Sequence, residues 1–313
     1  MQHTPVLLWE VLSFLQPQPG QTFVDGTVGL GGHAEAILRA TAPDGRMIAI
    51  DRDKRNLELA RERLLSFRDR VVLVEESFGR VKDICYERGF HSIHGALLDL
   101  GFSSAHIEDA RRGFSFQSEG PLDMRYDTDG ELTAEMVVNR YPEEELARIF
   151  HAYGEERASR RVAKAVVVAR KKVRFTTTTQ LADFVAQVLP RRGRLHPATK
   201  VFQALRIEVN KELEEIDRAL PDLLDLLVPG GRLAVITFHS VEDRLVKQMF
   251  RRFVDAGSAR TLTKHVIKPT LEEMQENPRA RSAKLRVLER YDLEISHHHR
   301  RGKNPQGGSD GLG

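Results

Sequence analysis

Residues 23–33 read FVDGTVGLGGH, the end of an apolar strand followed by a glycine-rich turn and the start of a helix. Gly29, Gly31 and Gly32 lie where the chain turns, and glycines there allow positive φ and close approach of a ligand to the helix N-terminus. The next predicted strand, MIAID, ends in Asp51, twenty residues beyond Gly31. An acidic side chain at that distance accepts hydrogen bonds from ribose hydroxyls. The two features together indicate an adenosine-containing ligand.

Two adenosine ligands compete for this turn, a dinucleotide and S-adenosylmethionine. The dinucleotide pattern G-x-G-x-x-G is not met, because Gly26, Gly29, Gly31 and Gly32 follow a different spacing. Asp25 also precedes the turn, and an acid there is unfavourable beside a pyrophosphate but suits a cationic methionine moiety. The sequence therefore favours S-adenosylmethionine as the cofactor.

Outward from this turn, short β-branched runs alternate with longer segments of helical period. This alternation is typical of parallel strands joined by helical crossovers, so the predicted fold class is α/β with a mostly parallel sheet. The predicted strands of the first half are Thr22–Asp25, Met47–Asp51, Val71–Val74 and Ala96–Leu100, and the predicted helices are Gly32–Arg39, Lys54–Phe67 and Gly79–Arg88.

The alternation stops between Gly101 and Arg206, where no convincing buried strand appears, and it resumes afterwards. We therefore expect one α/β domain in two parts, residues 1–105 and 207–295, with a helical insertion at 106–206 and a disordered polar tail at 296–313. The elements predicted after the insertion are helix Val209–Leu227, strand Leu233–Phe238, helix Val241–Phe253 and strands near Thr263–Ile267 and Lys284–Leu288.

Charge is concentrated in the insertion. Residues 157–206 contain nine Arg and four Lys against one acid, Asp183, a net charge of +12 in a chain whose total is +3. Such a segment is typical of a surface that binds a polyanion, because each neutralised phosphate releases counterions. A solvated helix face is the alternative, and the near-absence of acids favours nucleic acid. Lys200 and Arg206, near its end, are interpreted either as phosphate contacts or as helix caps.

Composition limits the other classes of protein. The chain has 313 residues, 41% hydrophobic and 30% charged, which excludes a disordered or fibrous protein. Its one cysteine, Cys85, excludes an intramolecular disulfide and a zinc site of several thiolates, and fits a reducing cytosol. No apolar run reaches the length of a membrane span. We expect a cytoplasmic protein without membrane contact and without a structural metal, since the adjacent His297–His299 cannot readily converge on one ion.

Further strand ends supply the remaining candidates, because ligands of open α/β sheets bind beyond the carboxyl ends of the strands. Phe78 follows the third strand and is predicted to lie against the adenine or to be core. Asp99 ends the fourth strand in LLDLGFSS, where an acid within an apolar run indicates function. His33 is interpreted as a cofactor contact or a capping residue. His239, after the next strand, is interpreted as a pocket-lining or catalytic residue.

Longer motifs resemble one family. The segments HTPVLL, DGTVGLGGH, IAIDRD, DLGFSS, RGFSFQSEGPLDMR, HPATKVFQALRIEVNKEL and TFHSVEDRLVKQMF occur in this order between about His3 and Glu289. This set resembles the bacterial small-subunit (16S) ribosomal RNA cytosine-N(4)-methyltransferases. The resemblance implies a class I, Rossmann-like methyltransferase fold, a helical RNA-binding insertion, and modification of a cytosine in the decoding region. The implied partner is small-subunit ribosomal RNA or the assembled small subunit.

The resemblance also assigns cofactor contacts. One position departs from the family pattern, because His106 stands where the family typically has Gln. The implied contacts are Gly31, Gly32, His33, Asp51, Phe78, Asp99 and His106.

Methylation of a cytosine amine requires hydrogen-bond acceptors for the amine hydrogens, because the nitrogen lone pair is conjugated into the ring. Asp99 and Ser103 are the catalytic candidates, and a role of Asp99 for the cofactor alone stays open. Methylation at carbon 5 would need a cysteine nucleophile at a strand end. Cys85 lies in the predicted helix Gly79–Arg88 instead.

Two alternatives from other classes remain at this point. A nicotinamide-dependent oxidoreductase would fit a glycine turn with Asp51. A non-catalytic RNA-binding protein that has kept a vestigial nucleotide pocket would fit the basic segment. Asp25 and the glycine spacing disfavour the first, and the intact set of strand-end residues disfavours the second. The target nucleotide and the oligomeric state are not fixed by the sequence.

Overall fold

The computed structural model describes residues 5–190 and 195–291, and within them seven strands form one sheet. The strands are β1 (Thr22–Asp25), β2 (Arg46–Asp51), β3 (Val71–Glu75), β4 (Ile93–Asp99), β5 (Leu227–Thr237), β6 (Ala259–Thr261) and β7 (Lys284–Arg290). Their spatial order is β3-β2-β1-β4-β5-β7-β6. Strands β1 to β5 pair in parallel, and β7 pairs antiparallel with both β5 and β6. The α/β prediction with a mostly parallel sheet is confirmed.

Helices cover both faces of the sheet and fill the segment between β4 and β5. Short 3₁₀ helices occur at Leu65–Phe67, Phe78–Arg80, Ala110–Arg112 and Pro278–Ser282. The α-helices of the described residues are α1 (Leu8–Leu15), α2 (Gly32–Ala40), α3 (Lys54–Arg63), α4 (Val81–Glu87), α5 (Ser104–Glu108), α6 (Ala134–Arg140), α7 (Glu143–Ala152), α8 (Ser159–Ala169), α9 (Thr178–Val188), α10 (Thr199–Asn210), α11 (Glu212–Leu226), α12 (Ser240–Asp255) and α13 (Leu271–Glu276).

The sheet is buried on both faces. Because side chains alternate along a strand, Val24 and Ile48 belong to the core under α4 and α11, whereas Phe23 and Met47 belong to the core under α1 and α2. This two-sided burial explains why the inner strands read as continuous apolar runs. It also leaves the carboxyl ends of β1, β2, β4 and β5 at one edge, where polar side chains can meet.

The segment between β4 and β5 has a hydrophobic core of its own. Helices α6 to α10 bury Val137, Phe150, Val162 and Leu205 away from the sheet. The structure thus contains the helical elements expected of an insertion. The division into domains at 1–105, 106–206 and 207–295 stays a prediction, and the tail predicted to be disordered lies outside the described residues.

Two predicted elements are wrong. The expected helix Val209–Leu227 is two helices, because Lys211 adopts a left-handed conformation (φ 54°) that ends α10 and starts α11. The break leaves the backbone carbonyl of Asn210 free of the helix to accept hydrogen bonds from Arg52. The expected strand Thr263–Ile267 is absent, and β6 lies earlier in the chain. Only Ile267 of that stretch pairs, through an isolated bridge to β7.

Other predicted boundaries hold to within a few residues. Helix α3 ends earlier than expected and continues as a 3₁₀ turn, and β5 begins earlier than expected. Among the described residues, no helix has the length and apolar character needed to cross a bilayer.

Candidate active site

One large cavity opens at the carboxyl edge of the sheet, and we call it the strand-end cavity. It collects residues from the glycine turn, from the ends of β2, β4 and β5, and from the start of α11. Of the predicted site residues, Gly32, His33, Asp51, Phe78, Asp99, Ser103 and His106 line it, and Gly31 does not.

The two glycines at the start of α2 serve the packing of the turn. Gly31 is the residue before the helix and has a φ of 78°, which side-chain-bearing residues adopt at a cost. A Cβ at Gly32 would lie 2.4 Å from a side-chain carbon of Pro5. These contacts account for both glycines without a ligand, so their predicted role as cofactor contacts stays a prediction.

Asp51 holds the glycine turn against α3. Its Oδ2 accepts hydrogen bonds from the backbone N–H of Gly29 (2.9 Å) and from Asn56 Nδ2 (3.2 Å), and its Oδ1 accepts one from the N–H of Asp53 (2.8 Å). A carboxylate offers about four acceptor sites, so one remains on Oδ1 for a ribose hydroxyl. Burial raises the pKa of Asp51, and these hydrogen bonds counter that effect.

His106 is the hydrogen-bond link between this region and the chain after β4. Its Nδ1 accepts the backbone N–H of Ser103 (3.0 Å), and its Nε2 lies 2.7 Å from Asp53 Oδ2. A neutral imidazole whose Nδ1 accepts carries its proton on Nε2, which donates to Asp53. Ser103 Oγ donates to Asn56 Oδ1 (3.0 Å), which completes a connection back to Asp51. Both His106 nitrogens thus have protein partners, and its predicted cofactor contact stays untested.

Asp53 holds His106 and Arg112 through its carboxylate. It caps α3 by accepting the N–H of Arg55, and its Oδ2 also pairs with Arg112 Nη1 at 2.7 Å. Burial alone would raise the pKa of Asp53, but His106 and Arg112 hold it at about 2. Arg112 in turn donates to the carbonyl of Tyr126. The connection therefore runs from the glycine turn to the loop that leads into the helical segment.

Asp99 is a cavity carboxylate with a buried oxygen that lacks a hydrogen-bond partner among the described residues. One quarter of its side chain (25%) faces the cavity, and the oxygen that lacks a partner there is Oδ1. Its Oδ2 lies 3.6 Å from His33 Nδ1. Burial, followed by the charges of Asp25 and Glu242, raises the pKa of Asp99 well above the usual range. A buried acceptor without a partner indicates a ligand group at Oδ1.

His33 and Phe78 lie on either side of the glycine turn. His33 is buried in the first turn of α2, and its Nε2 is 2.9 Å from the carbonyl oxygen of Val6. Phe78 is partly buried, packs beside Gly26 and forms one end of the cavity. Both positions agree with a cofactor role and also with packing, so both predictions remain open.

The opposite wall is a buried network of charges that the sequence analysis missed. Arg206 forms a bidentate ion pair with Glu212 (both 2.8 Å) and lies 3.8 Å from Glu242. Glu242 Oε2 accepts the backbone N–H groups of Phe238 and His239, which closes a capping box at the start of α12. The His-x-x-Glu spacing of 239–242 is the signal that could have identified Glu242.

This network corrects two of the open interpretations. Arg206 is buried in an ion pair, so it does not contact phosphate. His239 caps α12 through Nδ1 and does not line the cavity, although its neighbour Phe238 does. The ligand atoms of Glu212, His239 and Glu242 lie within 4.8 Å of one another, a geometry that suits a metal ion. The guanidinium of Arg206 already supplies the positive charge there.

The cavity fits a cationic adenosine ligand. Asp25, Asp51 and Asp99 end three adjacent strands, β1, β2 and β4, and Asp25 is fully buried beneath the glycine turn. Burial raises the pKa of Asp25 to about 7, and the charge of Asp51 adds to the shift. A pyrophosphate would be repelled by this set, whereas a sulfonium or ammonium group would stabilise the ionised carboxylates.

Comparison with known proteins agrees with this geometry. The model of the MraW methylase family matches residues 1–291. The chain belongs to the MraW methylase family. A relative from Syntrophotalea carbinolica, named ribosomal RNA small subunit methyltransferase H, is 49% identical, with 92% of this chain and 98% of the relative covered. A relative of the same name from Dictyoglomus thermophilum is 48% identical, with 92% and 96% covered.

Membership of this family confirms the predicted enzyme class, an S-adenosylmethionine-dependent ribosomal RNA methyltransferase. The predicted cytosine-N(4) activity on 16S ribosomal RNA is confirmed at the level of the family. The nicotinamide-dependent oxidoreductase is thereby ruled out.

Solved structures show a more distant likeness. A putative rRNA methylase from Clostridium thermocellum matches with a TM-score of 0.46 at 13% identity, with 92% of this chain and 99% of that chain covered. A putative methyltransferase from Streptococcus mutans, solved in complex with SAH, matches with a TM-score of 0.44 at 14% identity, with 93% and 99% covered.

The buried carboxylates predict pH-dependent cofactor binding. With a pKa of about 7, Asp25 is largely protonated below neutrality in the free protein, and a bound cation favours its ionised form. The affinity for S-adenosylmethionine should therefore rise with pH up to about 7, by at most about tenfold per unit for each proton released. Calorimetry between pH 5.5 and 8 measures this slope.

The matched ligand for that measurement is S-adenosylhomocysteine, which lacks the sulfonium charge and should show a shallower slope. Asp25→Asn should flatten the slope for S-adenosylmethionine. Equal slopes for the two ligands in the wild-type protein would contradict the assignment of these acids to a cationic group.

A second prediction concerns His106. His106→Leu removes the bonds to Ser103 and Asp53, so kcat should fall by at least about tenfold, the effect of one or two lost buried hydrogen bonds. His106→Gln can accept at Oε1 and donate from Nε2, and should retain most of the activity. Steady-state kinetics with both variants, and circular dichroism as a check on folding, measure the effect. Equal activity of His106→Leu and wild type would remove His106 from the positioning of Ser103.

Proposed function

We propose that this chain transfers a methyl group from S-adenosylmethionine to the exocyclic amine of a cytosine in small-subunit ribosomal RNA, with Asp99 as the acceptor of the amine hydrogen. The observation that supports the proposal is the buried, unpartnered Oδ1 of Asp99 in the strand-end cavity. It is an acceptor at the edge of the sheet where the cofactor is proposed to bind. A bound sulfonium favours the ionised form of Asp99, and the raised pKa then makes this carboxylate a stronger base for the proton.

The chain's own residues prepare the amine for attack. S-adenosylmethionine supplies the methyl group, and its carbon–sulfur bond breaks as the nitrogen–carbon bond forms. The amine lone pair is delocalised into the ring, so an acceptor that binds an amine hydrogen turns the lone pair toward the methyl carbon. Asp99 Oδ1 provides this acceptor and takes the proton that the methylated amine releases.

Ser103 completes the acceptor set in this proposal. Its hydroxyl hydrogen is directed to Asn56 Oδ1, so the oxygen lone pairs remain for a second amine hydrogen. His106 holds the Ser103 backbone in place, which fixes the hydroxyl relative to Asp99. Ser103 is therefore a catalytic candidate and His106 a positioning residue.

The pKa values of Glu242 and Asp99 are shifted in opposite directions. His239 and Arg206 lower the pKa of Glu242 against the effect of its burial, so Glu242 stays ionised, whereas Asp99 is pushed toward the neutral form. Two carboxyl groups with pKa values moved in opposite directions mark an acid–base site. In the proposal, Asp99 exchanges the proton and Glu242 supplies the charge that raises the basicity of Asp99.

The substrate strand reaches this site from the helical segment. Basic side chains at Arg160, Arg161, Lys164, Lys171 and Lys172 are exposed on and after α8. They form a surface suited to phosphates. Because Asp99 lies in a cavity, the target base must leave its stack to reach it. Whether the substrate is free RNA or the assembled small subunit is decided by the experiment below, and the cytoplasmic location stays a prediction.

Cys85 takes no part in this chemistry. It is buried in α4, does not line the cavity, and burial raises the pKa of its thiol to about 12. A thiolate that adds to carbon 6 of the ring is therefore not available, and the product should carry its methyl group on the amine.

The experiment is methyl transfer to small subunits, and to protein-free RNA, from a strain that lacks this activity, followed by nucleoside mass spectrometry. Wild type and Cys85→Ser should both give N4-methylcytidine at similar rates. Asp99→Asn should lower kcat by about 10²-fold or more. Asp83→Asn, at an exposed acid of α4, is the matched control and should be unchanged.

Three outcomes would contradict the proposal. A 5-methylcytidine product would assign the chemistry to the ring carbon. Loss of turnover in a folded Cys85→Ser protein would assign a role to the thiol. Full activity of Asp99→Asn would remove Asp99 from the reaction.

A further inference from the structure

A second cleft lies between the helical segment and α12. It is distinct from the strand-end cavity, with which it shares none of its lining residues. Among its six lining residues are three cations, one histidine and one acid. The cleft, which we call the basic cleft, is lined by His151, Ala152, Glu155, Arg157, Lys200 and Arg244.

Glu155 joins the two walls of the basic cleft. Its carboxylate accepts hydrogen bonds from Ser240 Oγ and from the guanidinium of Arg244, both in the first turns of α12. Its backbone carbonyl accepts one from Lys200 Nζ in α10 (2.8 Å). The Ser240 hydroxyl first, and then Arg244 and Lys200, lower the pKa of Glu155, so it stays ionised. The acid of the cleft is thus fully engaged by its surroundings.

Two cations of the cleft form no ion pair within the described residues. Lys200 donates to a neutral carbonyl, and Arg157 is exposed and forms no hydrogen bond or ion pair within residues 5–190 and 195–291. With Arg244 balanced by Glu155, the basic cleft has a net charge of +2 when His151 is neutral. Many exposed arginines elsewhere pair with an acid, for example Arg55 with Asp109 and Arg174 with Glu135. An uncompensated pair of cations around a concave surface suits an anion.

The cleft lies at the same edge of the sheet as the reaction site. Strand β5 ends at Thr237, and the next residues alternate between the two sites. Phe238 and Glu242 line the strand-end cavity, whereas Ser240 contacts Glu155 and Arg244 lines the basic cleft. The first turn of α12 therefore separates the sites, and a helix is only about 10 Å across.

We propose that the basic cleft binds a backbone phosphate of the RNA strand close to the target cytidine. The inference rests on the proposed function, because it assumes that a cytidine enters the strand-end cavity. Arg157 and Lys200 supply the charge, and both belong to the +12 segment at 157–206, which makes the cleft continuous with the basic surface. Phosphate contacts fix the register of a nucleic acid without reading its sequence. The cleft would thus place the correct nucleotide over the cavity.

The test uses unmethylated small subunits, with kcat/KM measured over a range of KCl concentrations. Arg157→Gln and Lys200→Gln should each lower kcat/KM several-fold at low salt. Each should also make log(kcat/KM) fall less steeply with log[salt], by about 0.7 per lost contact to a single strand. The kcat at saturating subunits and the affinity for S-adenosylmethionine should not change.

Arg251→Gln is the matched control. Arg251 is exposed on α12, seven residues and about 10 Å along the helix from Arg244, and should retain the wild-type salt slope. Lys200→Gln alters the hydrogen bond to the Glu155 carbonyl and could therefore disturb the fold. Arg157 makes no hydrogen bond or ion pair within the described residues, so Arg157→Gln tests the cleft without that effect.

Salt slopes of both variants equal to that of Arg251→Gln would overturn the proposal. A competition arm separates RNA from an acidic protein: poly(U) should inhibit wild type more strongly than Arg157→Gln. If polyglutamate, but not poly(U), inhibits wild type more strongly than Arg157→Gln, the cleft binds an acidic peptide instead. If wild type itself forms no N4-methylcytidine, the proposed function fails, whereas a wild-type salt slope in active variants refutes the phosphate site alone.

Discussion

The burial of three carboxyl groups at adjacent strand ends is the constraint on which the rest of the site depends. Parallel pairing of β1 with β2 and β4 brings Asp25, Asp51 and Asp99 to one edge of the sheet. Burial raises the pKa of all three; the charge of Asp51 adds to the shift of Asp25, and the charge of Asp25 to that of Asp99. Only Asp51 has several hydrogen-bond donors. Asp25, with one backbone donor from Thr27, and Asp99 are less fully compensated and favour a cation in the cavity. This is the physical reason that the glycine turn suits a sulfonium ligand better than a pyrophosphate.

The same site shows how the cofactor region and the substrate region are held in register. Asn56, Ser103 and His106 form a buried connection between Asp51 and Asp53, and Arg112 extends it to the carbonyl of Tyr126. The His106 ring also packs against the rings of Phe114 and Tyr126. A displacement at one end of such a network leaves buried polar groups unpaired, so its members hold one geometry together.

Local sequence patterns predicted the strands that carry the site, and long-range contacts explain what those patterns missed. The β-branched runs predicted β1 to β4 and the position of Asp99, because buried strands are rich in β-branched and other apolar residues. The break at Lys211 was not predictable, since it depends on Asn210 and Glu212 contacting residues far away in the chain. Likewise, Gly32 was interpreted as access for a ligand, whereas Pro5 occupies the space that a side chain would need.

The helical segment contributes more than a basic surface. Tyr126, from the loop that leads into it, lines the strand-end cavity, and Arg206 in α10 forms an ion pair with Glu212 in the cavity wall. Arg206 also lies 4.8 Å above the ring of Phe102, which follows Asp99 and is exposed at the cavity. If the buried guanidinium moved away, Glu212 and Glu242 would be left as buried charges without a partner. This cost favours a single arrangement of the wall. Lys200 of the basic cleft and Arg206 behind the cavity wall lie on the same helix, α10, so this helix connects the proposed phosphate site to the strand-end cavity.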